Sequence, residues 1–146
     1  MTDQKRIVLS SDHAAIALRR AVAAHLDDAG WQVDDIGPET AESTDYPLHG
    51  RAAAERVASG ECAFGIVLCG SGQGIMMAAN KVPGIRCGVC AEPVSARLIR
   101  LHNDANMLAL GARLVGEGMA LEIVDAFLGT AFEGGRHARR VDQIEG

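Results

Sequence analysis

Phe64-Gly65-Ile66-Val67-Leu68-Cys69-Gly70-Ser71-Gly72-Gln73-Gly74-Ile75 is the stretch that decides how this chain is built. Its apolar run reads as a strand buried on both faces, as in a parallel sheet. The strand delivers Cys69 to its end, a loop with glycine at every second position follows, and a helix begins near Gln73. Glycine lets the backbone approach a ligand closely, and the N–H groups at a helix start point at negative charge. The loop is therefore a candidate anion site, and the same N–H groups favour negative charge on the cysteine sulfur. A nucleophile or base beside an oxyanion hole is one reading. The other is a tight strand-to-helix turn around a buried structural cysteine.

On either side of this stretch, strand and helix alternate. Residues 6–10 read as an apolar strand. Residues 14–29 read as a helix, with Leu18, Val22 and Leu26 on one face and Gly30 as its stop. A short strand at 31–36 ends at Gly37-Pro38, and 39–44 is polar and loop-like. A helix at 47–59 carries Ala52-Ala53-Ala54 and stops at Gly60. After the Cys69 strand come a helix at 73–81, broken by Pro83-Gly84, a strand at 85–90 and a helix at 93–102. A fifth strand at 106–110 and a helix at 118–128 complete the pattern. Five such units predict one α/β domain over residues 1–146: a doubly wound parallel sheet in an α/β/α sandwich, Rossmann-like, with right-handed crossovers. The expected strand order is the flavodoxin-like 2-1-3-4-5, and ligands then sit at the carboxyl ends of the first and third strands.

Composition agrees. A chain of 146 residues suits one domain with a real core, and with aromatics at 3% that core must be aliphatic. A net charge of -5 argues against a nucleic-acid or membrane surface. The opening residues 1–6 are polar and lead straight into a strand, and no apolar run is long enough to span a bilayer. A cytosolic protein without a signal peptide is expected. Cys87-Gly88-Val89-Cys90 has the spacing of a metal or redox pair. On a strand, however, positions three apart face opposite ways, so these thiols diverge and read as buried apolar groups.

Three polar clusters carry candidate chemistry. Asp12-His13 follows the first strand, where Asp12 is alternatively a plain N-cap. His102-Asn103-Asp104-Ala105-Asn106 follows a helix, where it is alternatively a C-cap and turn. The tail, with Arg136, His137, Arg139 and Arg140, is a natural phosphate grip that Arg113 can join, or alternatively a solvated basic end. All three are expected to converge on the Cys69 crevice. Two familiar motifs are absent. The glycines follow the third strand rather than the first, against a dinucleotide fingerprint. Ile75 also stands where a cysteine phosphatase loop needs arginine.

Taken together, Ser11-Asp12-His13-Ala14, Asp45-Tyr46-Pro47, the Cys69–Gly74 loop (residues 69–74), Ala79-Asn80-Lys81-Val82, Gly84-Ile85-Arg86, residues 102–106 and residues 134–140 resemble the type B ribose-5-phosphate isomerases and the related galactose-6-phosphate isomerases. The resemblance covers nearly the whole chain. Ala15 stands where the family usually has glycine, and Ser71 where many members have threonine. Some members use a glutamate a little further on in place of the loop cysteine. Here those positions are Ile75 and Met76, so the chain resembles the cysteine-type branch.

The resemblance implies an aldose–ketose isomerase working through an enediolate, with ribose 5-phosphate and ribulose 5-phosphate as the expected pair. Allose, galactose or four-carbon sugar phosphates are alternatives, as is a non-catalytic binding module. It implies Cys69 as base, with Ser71 and the Gly70, Gly72 and Gly74 amides holding the enediolate. His102 would open the sugar ring and Asp12 would orient hydroxyls. His13, Arg113, Arg136, His137 and Arg140 would hold phosphate, with Asn103 and Tyr46 lining the pocket. No metal or organic cofactor is implied. Family members are dimers, or tetramers of dimers, whose sites the neighbouring subunit completes, and some need a paralogous partner.

Overall fold

The computed structural model describes residues 3–146; the polar lead Met1-Thr2 lies outside them. Five parallel strands form one sheet: β1 (Asp3–Ser11), β2 (Gln32–Asp35), β3 (Cys62–Cys69), β4 (Cys87–Val89) and β5 (Met107–Gly111). Between and after them run α1 (Ile16–Asp28), α2 (Tyr46–Ala58), α3 (Gln73–Ala79), α4 (Pro93–Asn103), α5 (Glu117–Leu128) and α6 (Arg136–Glu145). A 3-10 turn, His13–Ala15, precedes α1, so the helix expected from residue 14 begins two residues later. The basic tail folds as α6.

Alternation along the strands builds two cores. Ile7, Leu9, Ile66, Leu68, Leu108 and Leu110 face α1, α4 and α5. Val8, Val67, Cys69, Met107 and Ala109 face α2 and α3. This is the α/β/α sandwich expected of strands covered on both faces. Aromatic residues are few, yet they cluster. Phe127 is fully buried with its ring edge-on to Phe64 at 5.8 Å, and Arg100 lies over the Phe64 ring at 5.1 Å. The two thiols of the C-x-x-C pair part as expected, Cys87 to one core and Cys90 to the other. All four cysteines are free and buried.

The strand order is β2-β1-β3-β5-β4, which corrects the expected 2-1-3-4-5 at its last two strands. Burial explains the exchange. All five residues of β5 are buried, which suits an interior strand paired on both sides. β4 has three residues and two are only half-buried, which suits an edge. The β1–β3 junction that positions the glycine loop is unaffected. No helix among the described residues is long and apolar enough to cross a membrane.

Candidate active site

At the carboxyl edge of the sheet, the backbone stitches three strand ends together. Asp12 N–H donates to the Leu68 carbonyl (3.2 Å), joining β1 to β3. Ala112 N–H donates to the Cys69 carbonyl and Arg113 N–H to the Gly70 carbonyl, each at 2.9 Å, joining β5 to the glycine loop. The loop turns at Gly72, whose φ of 78° is left-handed and favours glycine. A Cβ there would lie 2.9 Å from the Leu110 carbonyl carbon, so the loop is packed against β5.

This turn returns Gly72 N–H to the Cys69 sulfur at 3.2 Å. A sulfur that accepts an N–H at a helix start has its negative charge stabilised. Ser71 is exposed beside it, and its hydroxyl accepts from Gln73 N–H at 3.3 Å. Gly74 must lack a side chain because a Cβ would run into the Tyr46 ring. Asp12 does cap the following turn, accepting from Ala14 N–H at 3.0 Å, so the capping reading holds for one of its oxygens. A cleft of about 430 Å³ is lined by Asp12, His13, Tyr46, Cys69, Gly70, Ser71, Gly74 and Arg113. Ala14 and Leu114 also line it. Ala14 stands in the Ser11-Asp12-His13-Ala14 motif without a role of its own, and Leu114 was not singled out, since neither side chain carries a chemical signature.

His102, Asn103, Arg136, His137 and Arg140 are not part of this cleft, which corrects the expected convergence within one chain. His102 lies in the last turn of α4, just ahead of β5. β5 starts at Met107, opposite Gly65, four residues before Cys69, and four residues of strand are about 13 Å. The second cluster therefore sits at the amino edge of the sheet. Asp104 caps α4 in the left-handed conformation, φ 47°, as the capping reading requires. Arg86 Nε donates to the Asn103 carbonyl at 2.9 Å.

Alongside, the tail docks on α4. Glu133 N–H donates to the Leu101 carbonyl at 3.1 Å, and the His137 ring stacks on the His102 ring, centroids 4.4 Å apart. Arg136 and Arg140 are exposed, whereas His137 is buried. Burial lowers the His137 pKa and the neighbouring His102 charge lowers it further, outweighing Glu133. Ligand atoms of His102, Glu133 and His137 lie within 4.8 Å of one another, a spacing a metal ion can draw together. The rings, however, are only 17° from parallel. Their in-plane lone pairs therefore lie in nearly parallel planes, an arrangement unsuited to converging on one ion. A larger cavity of about 560 Å³ opens near Asn103, between Asn80, Arg86, Ile99 and Ile144. Two of its polar walls are already bonded: Asn80 bonds the Cys87 backbone twice at 2.8 Å, and Arg86 bonds Asp104 and Glu145.

The family model described as Ribose/Galactose Isomerase matches residues 7–144. Ribose-5-phosphate isomerase B of Escherichia coli (strain K12) is 49% identical over 140 residues, covering 96% of this chain and 94% of that protein. The solved structure of Clostridium thermocellum ribose-5-phosphate isomerase B aligns with a TM-score of 0.95 at 53% identity, over 96% of this chain and 95% of that one. That of ribose-5-phosphate isomerase B from Mycoplasma genitalium, with bound ribulose-5-phosphate, aligns with a TM-score of 0.92 at 38% identity, over 96% and 93%. Motifs, fold and relatives agree, and the chain belongs to the ribose/galactose isomerase family.

Proposed function

We propose that this chain is an aldose–ketose isomerase that interconverts ribose 5-phosphate and ribulose 5-phosphate, with Cys69 as the base. The observation that carries the reading is the Cys69 sulfur accepting Gly72 N–H inside a cleft it shares with Asp12, His13 and Arg113. The Mycoplasma genitalium relative binds the expected ketose, which supports the choice of substrate. In the forward direction the thiolate takes the proton from C2 of the open-chain aldose. The C–H electron pair forms the C1–C2 double bond, and the carbonyl pair moves onto O1. Ser71 and the loop amides hold the resulting enediolate; one such donor is typically worth about 3 kcal/mol. Cys69 then returns the proton to C1 while the hydroxyl proton on O2 passes to O1, leaving a carbonyl at C2. Atoms and charge balance without a redox partner.

The ring-opening acid–base His102, and the phosphate clamp Arg136 and Arg140, come in this reading from a second copy of the chain. Two copies related by a two-fold axis each place the amino-edge cluster against the other's carboxyl-edge cleft, giving two equal sites. Asn103 lines the joint, and His137 supports His102. The reading carries with it a homodimeric enzyme of cytosolic sugar-phosphate metabolism. The test is solvent exchange in deuterated water with a panel of aldose phosphates. Wild type is expected to place deuterium next to the carbonyl, fastest with ribose 5-phosphate, and Cys69→Ala to bind substrate without exchange. Exchange by Cys69→Ala at the wild-type rate would assign the base elsewhere.

A further inference from the structure

We infer that Thr44 and His49 are positioning residues that fix the tautomer and orientation of His13; this rests on His13 being a ligand of the sugar phosphate. His13 opens the 3-10 turn after β1 and lines the cleft. Its Nδ1 accepts the backbone N–H of Thr44 at 3.1 Å. A ring nitrogen that accepts an N–H carries its lone pair there and no proton. The proton of the neutral ring is therefore on Nε2, and Nε2–H is what this side chain can donate to an oxygen-rich ligand. The bond also fixes the plane of the ring.

Thr44 lies in the irregular segment between β2 and α2, where no strand or helix holds it. What holds it is His49 in the first turn of α2, whose Nε2 lies 2.9 Å from the Thr44 hydroxyl. The path His49, Thr44, His13 thus ties the start of α2 to the end of β1, with 31 positions separating His13 from Thr44 and five separating Thr44 from His49. Tyr46 stands between Thr44 and His49 and lines the same cleft, so the tie also sets one of its walls. Neither Thr44 nor His49 lines the cleft, so both act through His13.

The test uses the whole protein labelled with nitrogen-15 at histidine, together with steady-state kinetics on ribose 5-phosphate. In wild type, ring correlation spectra should show His13 with its proton on Nε2 alone. Thr44→Val and His49→Phe should each turn that signal into a tautomer mixture and raise KM about five-fold, the size of one neutral hydrogen bond. Thr44→Ser keeps the hydroxyl and should restore both wild-type values. In a His13→Ala background, His49→Phe should change KM no further, because the path then leads nowhere. The inference is overturned if wild-type His13 carries its proton on Nδ1 or if both variants leave its spectrum unchanged. An undiminished effect of His49→Phe without His13 also overturns it. A wild-type protein with the expected His13 spectrum and no isomerase activity would instead overturn the proposed function and leave the tie standing.

Discussion

Cys69 and His102 stand at opposite ends of one parallel sheet. Cys69 closes β3 at the carboxyl edge, paired with Gly111 of β5, while His102 ends the helix that feeds β5 from the amino edge. A reaction that needs both groups on one sugar therefore needs two chains. Heterodimers of Cys69→Ala with His102→Ala, co-expressed with different tags, test this. Each has one site missing both groups and one site intact. Either homodimer should be slowed by about 100-fold or more on ring-closed substrate, the usual worth of an acid–base group. The purified heterodimer should recover about half of wild-type turnover. A heterodimer no faster than the mean of the two homodimers would show that each chain completes its own site.

Arg136 and Arg140 are four apart on α6, so they share a face, and both are exposed. Arg140→Ala should reduce kcat/KM by about 10- to 100-fold, as a charge-assisted hydrogen bond to phosphate predicts. Part of the loss should fall on kcat, because phosphate binding positions the reacting carbons. Steady-state kinetics against both the sugar phosphate and the free sugar separates the cases. The free sugar should be slow with wild type and indifferent to the substitution. Unchanged kinetics with the sugar phosphate would make α6 a solvated basic helix.

Much of this was legible in the residues. The alternation Ile7, Val8, Leu9 assigns β1 to two cores, and the same alternation parts Cys87 from Cys90. The Cys69 loop reads directly because glycine is needed where the chain packs against β5 and Tyr46. The order of β4 and β5 was not legible from their apolar runs, since pairing partners are far apart in sequence. The length and complete burial of β5 is what decides it. The place of His102 was misjudged from the residues, although connectivity carries it. In a parallel sheet, residues that follow a strand gather at the carboxyl edge, and residues that precede one gather at the amino edge. Cys69 ends its strand and Asp12 follows its own, whereas His102 precedes β5. The His49–Thr44–His13 path had no signal, because a backbone N–H carries no residue type.

Among the four thiols, reactivity should be confined to Cys69. Burial, then the hydrogen bond to Asp34, pushes the Cys62 thiol up to about 12. Burial, then the Glu92 charge, pushes Cys90 up to about 11, and burial also raises Cys87. These three stay protonated near pH 8 and are inert as nucleophiles. Cys69 alone opens onto the cleft. Iodoacetamide at pH 8 should therefore add one label per chain, at Cys69, with activity lost in step and sugar phosphate slowing both. Peptide mapping that finds native-state label spread over several cysteines, or full activity after Cys69 is modified, would count against it.

The His102–His137 stack predicts a pH dependence of stability. His137 has a folded pKa below its unfolded value of 6.5, because it is buried and faces His102, Arg136 and Arg140, with Glu133 opposing. Between the two values the unfolded chain binds more protons than the folded one, so stability falls as pH falls. The contribution is complete above about 6.5 and is lost as pH drops through and below that value. His137→Phe keeps a ring against His102 and removes the titrating group. It should match wild type at pH 8 and lose less stability on going to pH 5. Denaturant midpoints at fixed protomer concentration measure this, since assembly makes apparent stability depend on concentration. Parallel curves from pH 8 to pH 5 would mean that the stack carries no proton-linked stability, and that His137 can be charged in place.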